Sequence, residues 1–515
     1  MTATETRPAL MRAAVVTVVV TLSGSALGLV RDLLLARFFG ANGGTDAFLV
    51  AWTVPETAFT LVVEGAMSFL MIPLFSRALA GAGPGEARAA TRRIVASTLP
   101  RVAVVLVAAS AAVALGAPLL VRAIAPGLAD PALAVTCTRL TALTVLTFGL
   151  AGYVSAALRA NHVFGAPATI HLSYNIGILA LMATLGGRLG IVSAAAGVAV
   201  GSVLMLLAQL PSFLRHVGLP RSWRAAGPTV TLGAFAPLAV YTIARQAQVF
   251  IERFLGSSLP PGTISHLNYA QKVAQMPMLV ALLVCTVTFP ALARSVAAGE
   301  AQAARERLES DLRTVIALIL VSAAYLVAFA PQVVAALLGH GEFTAADTAA
   351  TAAILRVYAF GLIGHALVGV LSRAFYTGER RSWYPAAAMG AGLAVTALLA
   401  VGGVAHFHAY AIAAANGAGI VTTAVLLLIG LRDRIVAVSL RSVGAATARL
   451  AVAAGTAGTA GWLAGRLLTG WPALFSAATG GVLVLLVFAV AGRLAGADEI
   501  AVVTALIRRR LARAR

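Results

Sequence analysis

Ionisable side chains recur inside the long apolar runs of this chain, and they are the residues whose types could do chemistry. The first run carries the adjacent pair Arg31 and Asp32, with Gly24 and Gly28 on the Arg31 face. The second opens on Asp46 and continues through Glu56, Glu64 and Gly65. The seventh holds Arg245, Gln248 and Glu252 at i, i+3 and i+7, a single polar stripe on a helix. The eighth groups Asn268, Tyr269, Lys272 and Gln275, and the tenth holds Arg356 and Arg373. An ionisable side chain at bilayer depth costs at least roughly 2.5–3.5 kcal/mol, so it faces a cavity or a partner. Arg31, Lys272, Asp46, Arg245, Arg356 and Arg373 are the candidates for holding a substrate head group. Asp32, Glu64, Gly65 and Glu252 are the candidates for gating or ion coupling. Plain structural readings stand beside these: Arg31 and Asp32 can be a buried pair, and Arg245 and Glu252 can neutralise each other. Lys272 is the only lysine among 38 basic residues, which makes it an unusual choice in an arginine-using chain. A basic cavity beside an uncharged flank suits an amphiphilic anion, with a phosphate head held by cations and an apolar tail beside it.

The elements that carry these residues follow from composition. The 515 residues are 60% hydrophobic and 11% charged, with a mean hydropathy of +0.93. A soluble surface needs roughly 25% charged residues, so a soluble domain is excluded. Apolar runs of bilayer length recur throughout. The expected spans, about 14 in all, are 13–36, 46–72, 98–121, 136–158, 166–186, 190–213, 230–255, 264–289, 313–337, 349–375, 384–403, 407–430, 446–467 and 472–492. The first is read as a retained span, because its apolar run continues to about Val30 before Arg31 and Asp32, with no convincing cleavage site. With both termini on the cytoplasmic side, the inner loops collect Arg77, Arg88, Arg92, Arg93, Arg159, Arg215, Arg294, Arg305, Arg307, Arg313 and Arg441, a strong positive-inside bias. The net charge of +20 therefore reports topology and contact with anionic membrane lipids. Nucleic acid is not an expected partner, since the basic loops are short and lack stacking aromatics.

The chain also repeats itself. Pro73, Arg77, Asp130 and Arg139 recur as Pro290, Arg294, Asp347 and Arg356, each at an offset of 217 residues. Two six-helix units in the same orientation result, a parallel-repeat arrangement used by secondary transporters with substrate held between the halves. The expected division is an N-lobe over 1–228, a C-lobe over 229–440, two further helices over 441–495 forming a lipid-tail groove, and a basic cytoplasmic tail over 496–515. No catalytic Ser/His/Asp set, metal-ligand spacing or phosphate-binding loop occurs, so no enzyme, metal or cofactor is expected.

Several stretches then resemble one family. The run from Leu27 to Pro73, LGLVRDLLLARFFGANGGTDAFLVAWTVPETAFTLVVEGAMSFLMIP, is similar to the signature of the MviN/MurJ lipid II flippases. APGLAD at 125–130, GTISHLNYAQKVAQMP at 262–277, GHGEFTAADT at 339–348 and AFYTGERRSWYP at 374–385 follow in the same order. The resemblance spans nearly the whole chain. It implies an all-α polytopic membrane protein with the MATE-like MOP fold, two six-helix lobes and two C-terminal helices. It also implies a bacterial plasma-membrane flippase, acting as a monomer, that moves an undecaprenyl-pyrophosphate-linked peptidoglycan precursor outward by alternating access. The implied energy source is the membrane potential or a cation gradient, and the cell-wall synthesis machinery is the implied neighbour. Arg31 matches the family's first-helix arginine, Asp46 its T-D-A-F aspartate, and Glu64 and Gly65 its E-G-A motif. Lys272 stands where many members have arginine. Ser25, Phe59 and Thr60 stand where the family pattern has basic residues, and Gln271 where it has an acid. The cavity is therefore less basic than the pattern. That leaves another polyprenyl-linked glycan, or a MATE-type small-molecule exporter, as alternative readings.

Overall fold

A computed structural model describes residues 6–81, 83, 86–219, 236–298, 300–375, 382–434, 438–468 and 470–497. Their regular structure is entirely helical. The elements run α1 (Thr6–Phe39), α2 (Gly43–Ala58), a π-helical stretch (Phe59–Met71), α3 (Ile72–Ala80), α4 (Ala87–Leu115), α5 (Ala117–Ile124), α6 (Pro131–Thr141), α7 (Leu143–Ala160), α8 (Gly165–Ala168), α9 (Ile170–Leu189) and α10 (Val192–His216). They continue as α11 (Ala236–Gly256), α12 (Thr263–Ala297), α13 (Ala301–Leu338), α14 (Ala345–Ala374), α15 (Tyr384–Arg434), α16 (Leu440–Leu467) and α17 (Ala473–Leu494). Among the described residues, nine helical runs are long and apolar enough to cross a membrane. Helices predominate for a physical reason: in hydrocarbon each backbone N–H and C=O must be satisfied within its own segment.

The chain forms two compact units, Met1–Ser265 and His266–Arg515. The division falls in the first turn of α12, later than the 228/229 lobe boundary expected from the sequence. Helix α11 groups with the first unit because it packs on the π-helical stretch, α5 and α2. The expected spans 384–403 and 407–430 both lie in α15, which is broken at His408 by a backbone φ of 48°. The basic tail lies outside the described residues from 498 onward, as does the side chain of Arg373.

Within the first unit, the core gathers Phe75, Val95, Tyr153, Leu158 and Phe213, all at most 2% exposed. Polar groups there find partners across helices. The hydroxyls of Thr98 and Tyr153 are 2.7 Å apart, and Ser155 donates to Gln209 Oε1 at 2.6 Å. Such bonds contribute about 0.6 kcal/mol each in membrane bundles, so close packing of small residues carries much of the association. Helices α9 and α10 show this directly. A Cβ on Gly177 would lie 2.5 Å from Gly201 Cα, and one on Gly197 would lie 2.9 Å from Ile178 Cα.

The second unit uses the same device. Phe329, fully buried, fills a socket whose floor is Gly461 and Gly465 on α16 and Gly480 on α17. Tyr325 donates to the Ala477 carbonyl at 2.9 Å beside it. Phe329 also marks a kink in α13, with φ −111° and ψ 22°, two residues before Pro331. At the other end of the α13–α16 contact, Glu309 accepts from Ser439 N at 2.8 Å, fixing the start of α16.

The close approach of α9 and α10 predicts that Gly201→Ala is costly, because the added methyl would run into the backbone carbonyl of Tyr174, which cannot yield. The expected loss is about 1–3 kcal/mol, read as a lower melting temperature of the detergent-solubilised protein. An unchanged melting curve would contradict this packing.

Candidate functional site

The sequence pairs Arg31 with Asp32, and the first unit builds a site around that pair. Gly24, Gly28 and Arg31 lie at i, i+4 and i+7, so they share one face of α1. That face meets α9: a Cβ on Gly24 would lie 2.7 Å from His171 Cβ, and one on Gly28 3.6 Å from Asn175 Nδ2. Gly24 lets the helices approach closely enough for Arg31 to reach Asn175. Arg31 Nε and Nη2 both donate to Asp32 Oδ1, at 3.0 and 2.7 Å. Nη1 donates to Asn175 Oδ1 at 3.2 Å. The guanidinium lies over the Trp52 ring, 4.6 Å from its centroid, and the Arg31 side chain is only 14% exposed. A guanidinium carries five N–H donors. Three are used in these bonds, and two point to no partner among the described residues.

The wall behind Arg31 is aromatic and continuous. Trp52 packs on Tyr174 at 6.2 Å between centroids, Tyr174 on Phe148 at 5.3 Å, Phe148 on Phe59 at 5.4 Å, and Phe59 on His171 at 5.3 Å. Phe59, one of the departures from the family pattern, is therefore part of a ring stack. Thr60, the other, turns its hydroxyl back onto the Glu56 carbonyl at 3.0 Å. Sequence reasoning missed Trp52, His171 and Asn175. Asn175 alone left a signal, as an amide inside an apolar run.

Glu64 and Gly65 fall in the π-helical stretch Phe59–Met71. Here Ser68 Oγ donates to Val63 O, five residues back, at 2.9 Å. π-Turns concentrate at functional sites, and nothing in the residue pattern signalled this one. The Glu64 side chain is exposed and interacts electrostatically with Arg245 on α11 and Arg159 on α7. Arg245 is likewise exposed, while Gln248 and Glu252 on the same stripe are 5% and 2% exposed. Arg159, read from sequence only as a topology signal, thus belongs to the same charge set.

Asp46 sits elsewhere and does something different. It is 3% exposed. Its carboxylate accepts from Gly262 N at 2.7 Å, from Ser265 N at 2.7 Å and from Ser265 Oγ at 2.6 Å. Those donors lead into and belong to the first turn of α12, where N–H groups lack intrahelical acceptors and the helix dipole favours negative charge. Both oxygens are thereby committed to capping α12.

In the second unit, Lys272 is half-buried on α12. Arg356, the other head-group candidate whose side chain is described there, has a clear structural partner: its Nε donates to Val327 O at 3.1 Å. Val327 is four residues before Pro331, which has no N–H to return to that carbonyl. Arg356 therefore satisfies the acceptor that the proline leaves open. The repeat-related aspartates have also diverged. Asp130 caps α6 by accepting from Leu133 N at 2.9 Å. Asp347 accepts from Thr344 N and Oγ1, both at 2.8 Å, in a capping box, and turns its other oxygen to His266 Nε2 at 3.6 Å. His365 meets Asn416 Oδ1 at 3.1 Å, as a packed helix residue.

These features define a multi-pass helical membrane protein with charged residues set into its helices. A solved lipid II flippase MurJ in an inward closed conformation matches the fold with a TM-score of 0.76 at 20% identity, over 94% of this chain and all of that one. An inward-facing multidrug resistance MATE family transporter of the MOP superfamily matches with a TM-score of 0.63 at 12% identity, over 82% of this chain and 98% of that one. The chain thus has the MOP-type fold. The profile described as "Lipid II flippase MurJ" matches residues 35–480, and the chain belongs to that family. The lipid II flippase MurJ of Burkholderia cenocepacia is 28% identical over 370 residues, covering 69% of this chain and 71% of the relative.

The three bonds at Asp46 predict that Asp46→Ala leaves the start of α12 uncapped. The expected cost is about 2 kcal/mol, with faster hydrogen exchange at the Ser265 amide. Exchange at the wild-type rate would show that the cap is dispensable.

Proposed function

We propose that this protein translocates lipid II, the undecaprenyl-pyrophosphate-linked peptidoglycan precursor, from the inner to the outer leaflet of the bacterial plasma membrane by alternating access. The observation that carries the reading is Arg31: a guanidinium held in the seam of α1 and α9 with two donors that have no partner among the described residues, in a chain of the lipid II flippase MurJ family. Charge-assisted hydrogen bonds to phosphate are short and strong, and arginine matches the geometry of a phosphate edge. The pre-set orientation means little ordering is needed when the head group arrives.

The other parts follow from that placement. Arg31, Lys272 and Arg245 are assigned to the pyrophosphate, with Arg373 as a further cation, and Arg356 to holding the α13 kink. Asp46, a head-group candidate from its sequence position, is assigned instead to capping α12. Asp32, Glu64 and Glu252 balance the cations when no substrate is bound, Gly65 lets neighbouring helices pass, and the six-helix lobes rock about the bound lipid. With both termini cytoplasmic, an inside-negative potential drives an anion outward with about 2.3 kcal/mol per charge per 100 mV. The chain works without a cofactor, as a monomer beside the cell-wall synthesis machinery.

An apolar cavity of about 540 Å³ supports the position of the polyprenyl tail. It is lined by residues of α13, α14 and α16, including Leu320, Val327, Phe360, Ala454, Gly458 and Trp462. No charged side chain lines it, so a hydrocarbon chain loses nothing by entering. The replacement of a basic pair by Phe59 and Thr60 favours one second reading, a different polyprenyl-linked glycan with a less charged head.

Expression in a bacterium depleted of its own lipid II flippase decides between them. Wild-type protein is expected to restore lipid II exposure at the outer leaflet, and Arg31→Ala and Lys272→Ala to reduce it about tenfold or more, as loss of a charge-assisted phosphate contact would. Stable insertion without restored exposure would remove lipid II as the substrate, and full activity of both variants would remove the head-group role of these cations.

A further inference from the structure

We propose that Asn175 is a positioning residue for the anion site: it sets the direction in which Arg31 presents its unspent donors while leaving the charge of Arg31 intact. The proposal rests on the reading of Arg31 as a phosphate contact.

The geometry is specific. Asn175 is 4% exposed and lies one turn after His171 on α9. Its Nδ2 donates to Gly24 O at 3.2 Å and to His171 O at 2.9 Å. Its Oδ1 accepts from Arg31 Nη1 at 3.2 Å. The amide can adopt only this orientation. A flipped amide would set NH2 against a guanidinium and oxygen against two carbonyls, leaving every one of these contacts repulsive. Both carbonyls already serve as acceptors inside their own helices, so the amide adds bonds to α1 and α9 without being needed by either. What it changes is Arg31. Asp32, the next residue on the same helix, grips the Nε–Nη2 edge. Asn175 reaches the remaining nitrogen from the opposing helix, and Trp52 supports the plane from one face. Edge, tip and face are each fixed by a different element, and the open direction is the one left over.

The chemical choice of an amide also matters. Asp32 already offsets the charge of Arg31. A second carboxylate at 175 would keep the hydrogen bond and turn the cluster net negative, repelling a phosphate. A hydrocarbon would keep the charge balance and release the nitrogen. Asparagine alone accepts from the guanidinium, donates to the two carbonyls and adds no charge.

This makes two substitutions informative. Asn175→Asp is isosteric and tests charge, and Asn175→Leu is close in size and tests orientation without orphaning a carbonyl. The full-length chain in nanodiscs is titrated with undecaprenyl pyrophosphate. Asn175→Leu is expected to bind about tenfold more weakly than wild type, the loss of one well-placed charge-assisted bond, and Asn175→Asp more weakly still. In the Arg31→Ala background Asn175→Leu is expected to add nothing, because its effect passes through Arg31. Equal losses in both backgrounds, or wild-type binding by both variants, overturn the proposal. A second readout is independent of the lipid. The emission contribution of Trp52, taken as the difference from Trp52→Phe, is expected to shift in Asn175→Leu as the guanidinium leaves the indole face. If the wild type fails to bind the probe, the polyprenyl-pyrophosphate reading falls, and the Trp52 signal alone then decides the orienting role: no shift overturns it.

Discussion

The site in the first unit depends on how one buried charge is compensated. Arg31, only 14% exposed, cannot sit in a helix seam without partners, and on the proposed reading full neutralisation would leave it nothing to offer a phosphate. The contacts resolve this by dividing the work. Asp32 supplies the counter-charge, Asn175 a neutral hydrogen bond and Trp52 an aromatic face, while two N–H groups have no partner among the described residues. Gly24 makes the arrangement possible, because a Cβ there would lie 2.7 Å from His171 Cβ and push α9 away from α1. The tight seam between α9 and α10 at Gly177, Gly197 and Gly201 then holds Asn175 from behind.

A buried cation need not be a ligand contact, and Arg356 shows the other outcome. Its donor goes to Val327 O, the carbonyl that Pro331 leaves open. The same kink presents Phe329 to the glycines of α16 and α17. Arg356 thus supports the bend that docks the last two helices, near the apolar cavity lined by α13, α14 and α16. Asp46 is a comparable case among the acids: its oxygens cap α12. Charge at membrane depth marks a residue with a task. Only its partners say whether the task is binding, capping or repairing a helix.

Much of this was legible in the sequence. Hydropathy and span-length runs gave the helical membrane class, since bilayer thickness imposes a period that few other constraints mimic. The Gly24–Gly28–Arg31 face and the Arg245–Gln248–Glu252 stripe could be read from helical spacing. What could not be read depends on partners distant in the chain. Asn175 is 144 residues from Arg31, and no local pattern links them. Trp52 and Phe59 look like ordinary apolar residues of a span until their rings stack. The π-helical stretch around Glu64 leaves no periodic trace, because its extra residue per turn is set by packing. The 217-residue repeat was visible, but equal positions do not mean equal roles, as Asp130 and Asp347 show.

On the proposed reading, Arg31 meets the phosphate through the N–H groups that have no partner among the described residues. A cryo-electron microscopy map of the full-length protein with bound polyprenyl-pyrophosphate lipid tests this most directly. Phosphate oxygens are expected within about 3 Å of Arg31 Nη1 and Nη2, with the Asp32 and Asn175 bonds retained. A head group bound elsewhere, with the Arg31 cluster unchanged, would contradict it.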